Sequence, residues 1–262
     1  MKVEYEVVGT GAPVVLLHGI LASSDMWSEQ VRDLATGYRV ITIDARGHGR
    51  SAHATTAFTI ADMIEDAVAV LDELGIDRAV WAGLSMGGMV ALGAAVRAPQ
   101  RVRALILLDT DAGPAPLADR VQYQIMSAVA AVVGLRPLVS RIIALSLGPT
   151  TRRTRPDIVA DWRARFLRAH VPSGRQAIGA VAGREDLRGR LRDIAVPTLV
   201  IVGEEDPTFP PPIARAIASG IPDAHLVVIP ESGHVTPVEQ PEAVTRAMRS
   251  FLDALPALVN SA

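Results

Sequence analysis

Gly83-Leu84-Ser85-Met86-Gly87 follows an apolar run, Arg78 to Trp81, and precedes a helical pattern, Met86 to Ala98. A serine at the apex of so abrupt a strand-to-helix turn is strained. Glycine is needed two residues to either side, because a side chain there would strike neighbouring backbone. The hydroxyl then stands at a helix N-terminus, whose unpaired N–H groups and dipole favour the negative charge that develops during acyl transfer. Ser85 is therefore the candidate nucleophile. His18-Gly19-Ile20 ends a second apolar run, Val14 to Leu17, and supplies the loop beside this turn. From there the backbone N–H of Ile20 is expected to form an oxyanion hole with that of Met86.

A serine needs a base, and the base needs an orienting acid. Asp206 lies in Gly203-Glu204-Glu205-Asp206-Pro207 after a buried run, and His234 lies in Ser232-Gly233-His234 after the next. Loops at the C-terminal ends of parallel strands open on one rim, so residues far apart in the chain can converge there. His234 is the expected proton acceptor from Ser85, and Asp206 the group that fixes its tautomer and stabilises the imidazolium. Asp109 and Asp111 also follow a strand-like run and are the competing candidates for the acid. The remaining histidines read as packing or hydrogen-bonding residues, with His18 and His48 bracing post-strand loops and His170 approaching the pocket. No spacing resembles a metal site. Gly47-His48-Gly49-Arg50-Ser51-Ala52 has the glycine spacing of a dinucleotide loop, but the next helical pattern starts only near Thr59, too late to receive a pyrophosphate. The expectation is a site without metal or cofactor.

These residues need a scaffold that brings strand ends together. Runs rich in Val, Ile and Leu recur at Val14 to Leu17, Arg39 to Ile43, Arg78 to Trp81, Ala104 to Leu108, Thr198 to Val202 and His225 to Ile229. They suit strands buried on both faces. Helical patterns such as Thr59 to Leu74 alternate with them, which predicts a doubly wound, mostly parallel α/β sheet of about seven strands. The opening segment, Val3 to Val8, joins Val14 through Gly9-Thr10-Gly11, short enough for an antiparallel edge hairpin. Alternation breaks between Asp111 and Asp193, where helical pieces are punctuated by Pro137, Pro149, Pro156 and Pro172. The expected organisation is a core domain over residues 1–110 and 194–262 with a helical cap inserted over 111–193. The most apolar stretch, Ile125 to Leu135, reads as a buried helix too short to span a bilayer.

The chain has 262 residues, 49% of them hydrophobic, which suffices for one sizeable core. Without cysteine it can form neither disulfides nor thiolate metal sites. A net charge of −2 without long like-charge blocks argues against nucleic acid as partner. Met1 to Gly9 lacks the apolar centre of a secretion signal, so a cytoplasmic protein acting on a small molecule, without membrane contact, is expected. Charge is nevertheless uneven, with fourteen arginines against seven acidic residues between Thr110 and Asp193. That excess suggests a substrate bearing an anionic group. Between Asp157 and Ala169, Ile158, Trp162, Phe166 and Ala169 share one helical face. Trp162 and Phe166 are expected to roof the pocket, with Arg165 beside them clamping a carboxylate.

Taken together, the chain from Val3 to Leu255 resembles the α/β-hydrolase superfamily. Gly83 to Met89, the Arg46 to Ser51 loop, Val196-Pro197-Thr198 and Gly233 to Pro241 look most like the branch of 3-oxoadipate enol-lactonases and small carboxylesterases. The resemblance implies a cofactor-free serine hydrolase, acting on an ester or lactone through an acyl-enzyme, with a helical cap over its pocket. Carbon–carbon bond hydrolysis or perhydrolysis on the same three residues, and a non-hydrolytic receptor built on the same fold, are the alternatives. The serine at position 85 speaks against relatives that use an aspartate nucleophile.

Overall fold

A computed structural model describes residues 2–256. Seven strands, β1 (Glu4–Val8), β2 (Ala12–Leu17), β3 (Tyr38–Asp44), β4 (Ala79–Leu84), β5 (Val102–Leu108), β6 (Thr198–Gly203) and β7 (Ala224–Ile229), form one sheet in the order β1-β3-β2-β4-β5-β6-β7. All neighbouring pairs are parallel except β1 with β3. Alternation along the central strands sorts their side chains between two layers. Val15, Leu17, Trp81, Leu105, Leu107, Val200 and Val202 face one apolar cluster, and Val14, Leu16, Val80, Ala82, Ile106, Leu108 and Ile201 face the other. With side chains buried on both faces, the strands read as continuous apolar runs.

Helices cover both layers. α1 (Ser28–Leu34) packs on the second face, α2 (Ile60–Glu73) and α3 (Met86–Arg97) on the first. The start of α2 is set by a capping box, in which Thr59 Oγ1 accepts from Asp62 N at 3.2 Å and Asp62 Oδ2 accepts from Thr59 N at 2.7 Å. Between β5 and β6 lie five helices: α4 (Leu117–Val133), α5 (Val139–Ser146), α6 (Pro149–Thr154), α7 (Pro156–Arg168) and α8 (Val171–Ala182). α9 (Pro211–Gly220), the short α10 (Thr236–Glu239) and α11 (Pro241–Ala254) complete the chain, α9 against the first cluster and α11 against the second. Among the described residues no helix is long and apolar enough to cross a membrane.

Two local expectations are overturned. β1 does not form a hairpin with β2. Both edges of β2 are taken by parallel partners, β3 and β4, so β1 can pair only with the outer edge of β3. The connecting turn passes so close over the start of β3 that a Cβ at Gly9, whose φ is +80°, would lie 2.4 Å from the Tyr38 carbonyl oxygen. The apolar stretch from Ile125 is helical within α4, yet it is not buried: Ile125 is 59% and Val132 84% exposed. Apolar composition favours a helix, but burial needs a second layer, and α4 packs mainly on α8.

Candidate active site

The C-terminal ends of β4, β5, β6 and β7 share one rim of the sheet, and each carries a polar residue into it. Ser85 follows β4 directly at φ +53° and ψ −113°, a strained conformation for a side chain with a Cβ. The turn leaves no alternative to glycine. A Cβ on Gly83 would sit 2.1 Å from the Gly87 carbonyl oxygen, and one on Gly87 would sit 2.2 Å from that of Leu17. Ser85 N donates to Leu108 O at 2.9 Å, and Thr110 Oγ1 donates to Ser85 O at 2.8 Å, so the neighbouring strand holds the strained residue.

His234 Nε2 lies 2.9 Å from Ser85 Oγ, and His234 Nδ1 lies 2.9 Å from Asp206 Oδ2. With the carboxylate as acceptor, Nδ1 carries the proton and Nε2 is left to accept from the hydroxyl. Asp206 is fixed in turn, its Oδ1 accepting from Thr208 N at 2.7 Å and Phe209 N at 3.0 Å. The Phe209 ring packs edge-on against the imidazole at 5.4 Å between centroids. Burial pulls the His234 pKa down, but the charge and hydrogen bond of Asp206, helped by Asp109 and Glu239, outweigh it and leave the pKa above the ordinary value. Met86 opens α3, so its N–H has no intrahelical acceptor. Ile20 lines the same cavity as Ser85 and His234.

That cavity has a volume of about 310 Å³ and is walled mainly by apolar side chains, among them Met126, Leu138, Ile142, Ile178 and Phe209. Much of its wall comes from α4, α5 and α8, with Arg141 and Arg175 among the lining residues, and the loops after β2, β4, β6 and β7 close the rest. The expectation for α7 is corrected here. Trp162 and Phe166 are 2% exposed and pack with Val139, Ile142, Ile143 and Leu147 in the second apolar cluster, and among the described residues no α7 side chain lines the cavity. Arg165 is not beside the cavity either. Its Nε donates to Asp161 Oδ2 at 2.6 Å, and a second nitrogen pairs with Asp25 on the loop after β2. A helical period identifies which face is apolar, not what that face meets. Here α5 supplies an apolar partner, and an apolar stripe is more stable there than against a wet pocket.

Other loop residues have structural roles. His18 Nδ1 donates to Gly19 O at 2.7 Å and its Nε2 accepts from Ala45 N at 2.9 Å, while burial lowers its pKa. His170 caps α8 through Ser173 and stacks on His53 at 3.7 Å, away from the cavity. The Gly47–Ala52 loop is filled by its own chain. Asp44 accepts from Ser24 N at 2.7 Å and Arg50 N at 3.0 Å, and a Cβ on Gly49 would lie 2.4 Å from that carboxyl. The loop's inward N–H donor is thus taken by a carboxylate, whose negative charge would repel a phosphate. Asp111, one competitor for the acid, is paired with Arg184 at 2.8 Å.

Sequence reasoning missed Thr236 and Glu239, and the structural use made of Asp109. Glu239 is 3% exposed, and its carboxylate accepts from Gly148 N at 2.8 Å, Gly233 N at 2.9 Å and Val235 N at 3.2 Å. It thereby ties the histidine loop to the turn before α6, and burial raises its pKa. An acidic residue five positions after His234, behind Val235, Pro237 and Val238, was the available signal.

A family model described as the alpha/beta hydrolase fold matches residues 12–241. BpoC of Mycobacterium tuberculosis H37Rv, named for a non-heme bromoperoxidase activity, is 33% identical over 98% of this chain and 100% of its own length. For 3-oxoadipate enol-lactonase 2 of Acinetobacter baylyi the identity is 27%, over 92% of this chain and 88% of the relative. The solved structure of a thermophilic esterase from Thermogutta terrifontis, with malate bound, superimposes with a TM-score of 0.92 at 34% identity, covering 97% of this chain and 93% of that one. The chain spans 64% of the length of a curated dihydrolipoyllysine-residue acetyltransferase component from Pseudomonas putida, and about half of the chain, 51%, matches 52% of a putative non-heme haloperoxidase of Mycobacterium phage D29. The family match takes in the turn at Ser85 and the loops of Asp206 and His234, and the chain belongs to the alpha/beta hydrolase family.

Proposed function

We propose that the protein hydrolyses a carboxylic ester or lactone through an acyl-enzyme formed on Ser85. The observation that carries this reading is the relay of two 2.9 Å contacts from Ser85 Oγ through His234 to Asp206, opening on an apolar cavity. Ser85 Oγ attacks the carbonyl carbon as its proton passes to His234 Nε2, and the tetrahedral oxyanion takes hydrogen bonds from the N–H groups of Met86 and Ile20. As the carbon–oxygen bond to the leaving group breaks, His234 returns the proton to the departing alkoxide. Water, deprotonated by the same imidazole, then attacks the acyl-enzyme and frees the acid and Ser85. For a lactone, alkoxide and acyl group belong to one molecule and a hydroxy acid leaves. The helical insertion acts as the cap that shapes the pocket, and the chemistry calls on no metal or cofactor.

Changing Ser85 to Ala is expected to lower kcat for p-nitrophenyl acetate by about 10⁶ while leaving the fold intact. Retention of a tenth of the activity would remove Ser85 as nucleophile. Stoichiometric labelling by a fluorophosphonate without ester turnover would instead mark a receptor built on this fold.

The similarity to BpoC favours one second reading, perhydrolysis. Hydrogen peroxide replacing water in the second half-reaction would take the acyl group as a peracid and restore Ser85. Peracid formation that competes with hydrolysis as peroxide is raised would support it, and hydrolysis unaffected by peroxide would exclude it.

A further inference from the structure

Ser85, Asp206 and His234 follow three different strands, yet their relay needs alignment to a fraction of an ångström. The end of β5, which carries none of the three, touches the segments of all of them. Leu108 and Thr110 hold the backbone of Ser85 at 2.9 and 2.8 Å. Between them, Asp109 N donates to Ile201 O in β6 at 3.0 Å. The Asp109 carboxylate reaches further. Oδ1 accepts from Gly203 N at 2.9 Å, three residues before Asp206, while Oδ2 accepts from Thr236 N at 3.2 Å and Thr236 Oγ1 at 2.6 Å, two residues after His234.

Asp109 is 1% exposed and held at φ +46°, a conformation that a residue with a side chain rarely adopts. Burial and the nearby Asp206 raise its pKa well above the ordinary carboxylate value, partly opposed by His234 and by the Thr236 and Gly203 hydrogen bonds. A buried acid next to a second acid, on strained backbone, is costly for stability, and such features persist where the surrounding structure and its function demand them. Both oxygens face donors, which fits a carboxylate; the amide of an asparagine would turn a donor toward one of them.

We propose that Asp109 and Thr236 form a positioning pair, in which one buried carboxylate locks the Asp206 loop and the His234 loop into hydrogen-bonding register above Ser85. This role rests on the proposed catalytic reading of those three residues. Asp109 touches no substrate and passes no proton; it acts through backbone.

The test is a graded series at Thr236 that leaves the buried carboxylate in place: Thr236→Ser keeps the donor, Thr236→Cys weakens it, and Thr236→Val removes it at nearly constant shape. With p-nitrophenyl acetate, kcat is expected to fall roughly ten- to a hundredfold in Thr236→Val, the cost of a misplacement of about 1 Å or less. KM should stay within about twofold, since the cavity walls are untouched. Fluorophosphonate labelling of Ser85 should slow in proportion, Thr236→Cys should fall between, and Thr236→Ser should recover most of the rate. Should Thr236→Val fail to fold, the Ser and Cys variants keep the comparison. Equal kcat in all folded variants, equal losses in Ser and Cys variants, or a loss explained by the unfolded fraction alone would overturn the pair. Ser85→Ala separates the two ideas. If it retains activity, the catalytic reading fails; if it is inactive while the Thr236 series matches the parent, only the positioning role fails.

Discussion

A histidine that serves as base must be neutral when substrate arrives, so its surroundings decide the pH at which activity begins. At His234 two opposing effects are present: burial disfavours the imidazolium, and Asp206 at 2.9 Å favours it more strongly. The net upward direction places the acid limb of the kcat/KM profile above the ordinary histidine value of 6.5, with activity rising as pH passes that point. Asp206→Asn removes the attraction and leaves burial unopposed by its strongest partner. Its acid limb is expected to move to lower pH, and kcat to drop by roughly 10⁴, because the wrong tautomer then faces Ser85. A pH-rate series on parent and variant checks both. A mild Asp206→Asn beside a crippled Asp109→Asn would reverse the assignment of the acid, since Asp109 also lies within electrostatic reach of His234.

At the scale of elements, α7 shows how one amphipathic pattern admits two readings. Ile158, Trp162 and Phe166 do share a face, but α5 covers it and the cavity lies beyond. Trp162→Ala or Phe166→Ala is therefore expected to reduce unfolding free energy by about 3–5 kcal/mol, as for buried aromatic truncations generally, while KM for a short neutral ester stays within about twofold. Denaturant unfolding read beside steady-state kinetics tests this, and a large KM change at full stability would return the aromatic face to the pocket. Arg165→Ala should cost about 1 kcal/mol or less, since its partners Asp161 and Asp25 are largely exposed. Its side chain links the helical insertion to the loop after β2, so the variant should discriminate anionic from neutral esters as the parent does.

For the molecule as a whole, the excess of arginine in the insertion becomes meaningful only once the cavity is located. Arg141 from α5 and Arg175 from α8 line it. Arg175 Nε donates to Ser127 Oγ, at 3.2 Å. An ester carrying a distal carboxylate is expected to show higher kcat/KM than its neutral isostere. Arg141→Ala and Arg175→Ala should each reduce that preference roughly two- to fivefold, the scale of an exposed ion pair. A preference that survives in the double variant, or none in the parent, would confine this charge to solvation.

Much of this arrangement follows from local chemistry. Gly83 and Gly87 are required because the turn at Ser85 brings backbone to within 2.1 and 2.2 Å of where their Cβ atoms would be. The apolar runs are strands because both their faces are covered, and the order of Ser85, Asp206 and His234 along the chain matches loops that open on one rim. Each of these depends on neighbours in sequence or on rules of strand connection, so the sequence by itself determines them. What meets what across space is a different matter. Nothing near position 4 reveals that β3 rather than β2 offers the free edge, and nothing on α7 reveals that α5 lies over its aromatic stripe. Asp109 could have been the acid on sequence grounds. Only packing β6 and the His234 loop against the end of β5 turns its oxygens to Gly203 and Thr236 and leaves Asp206 facing the imidazole. Those contacts join residues as many as 127 positions apart, and their partners are selected by the simultaneous fit of several elements, which no local spacing encodes.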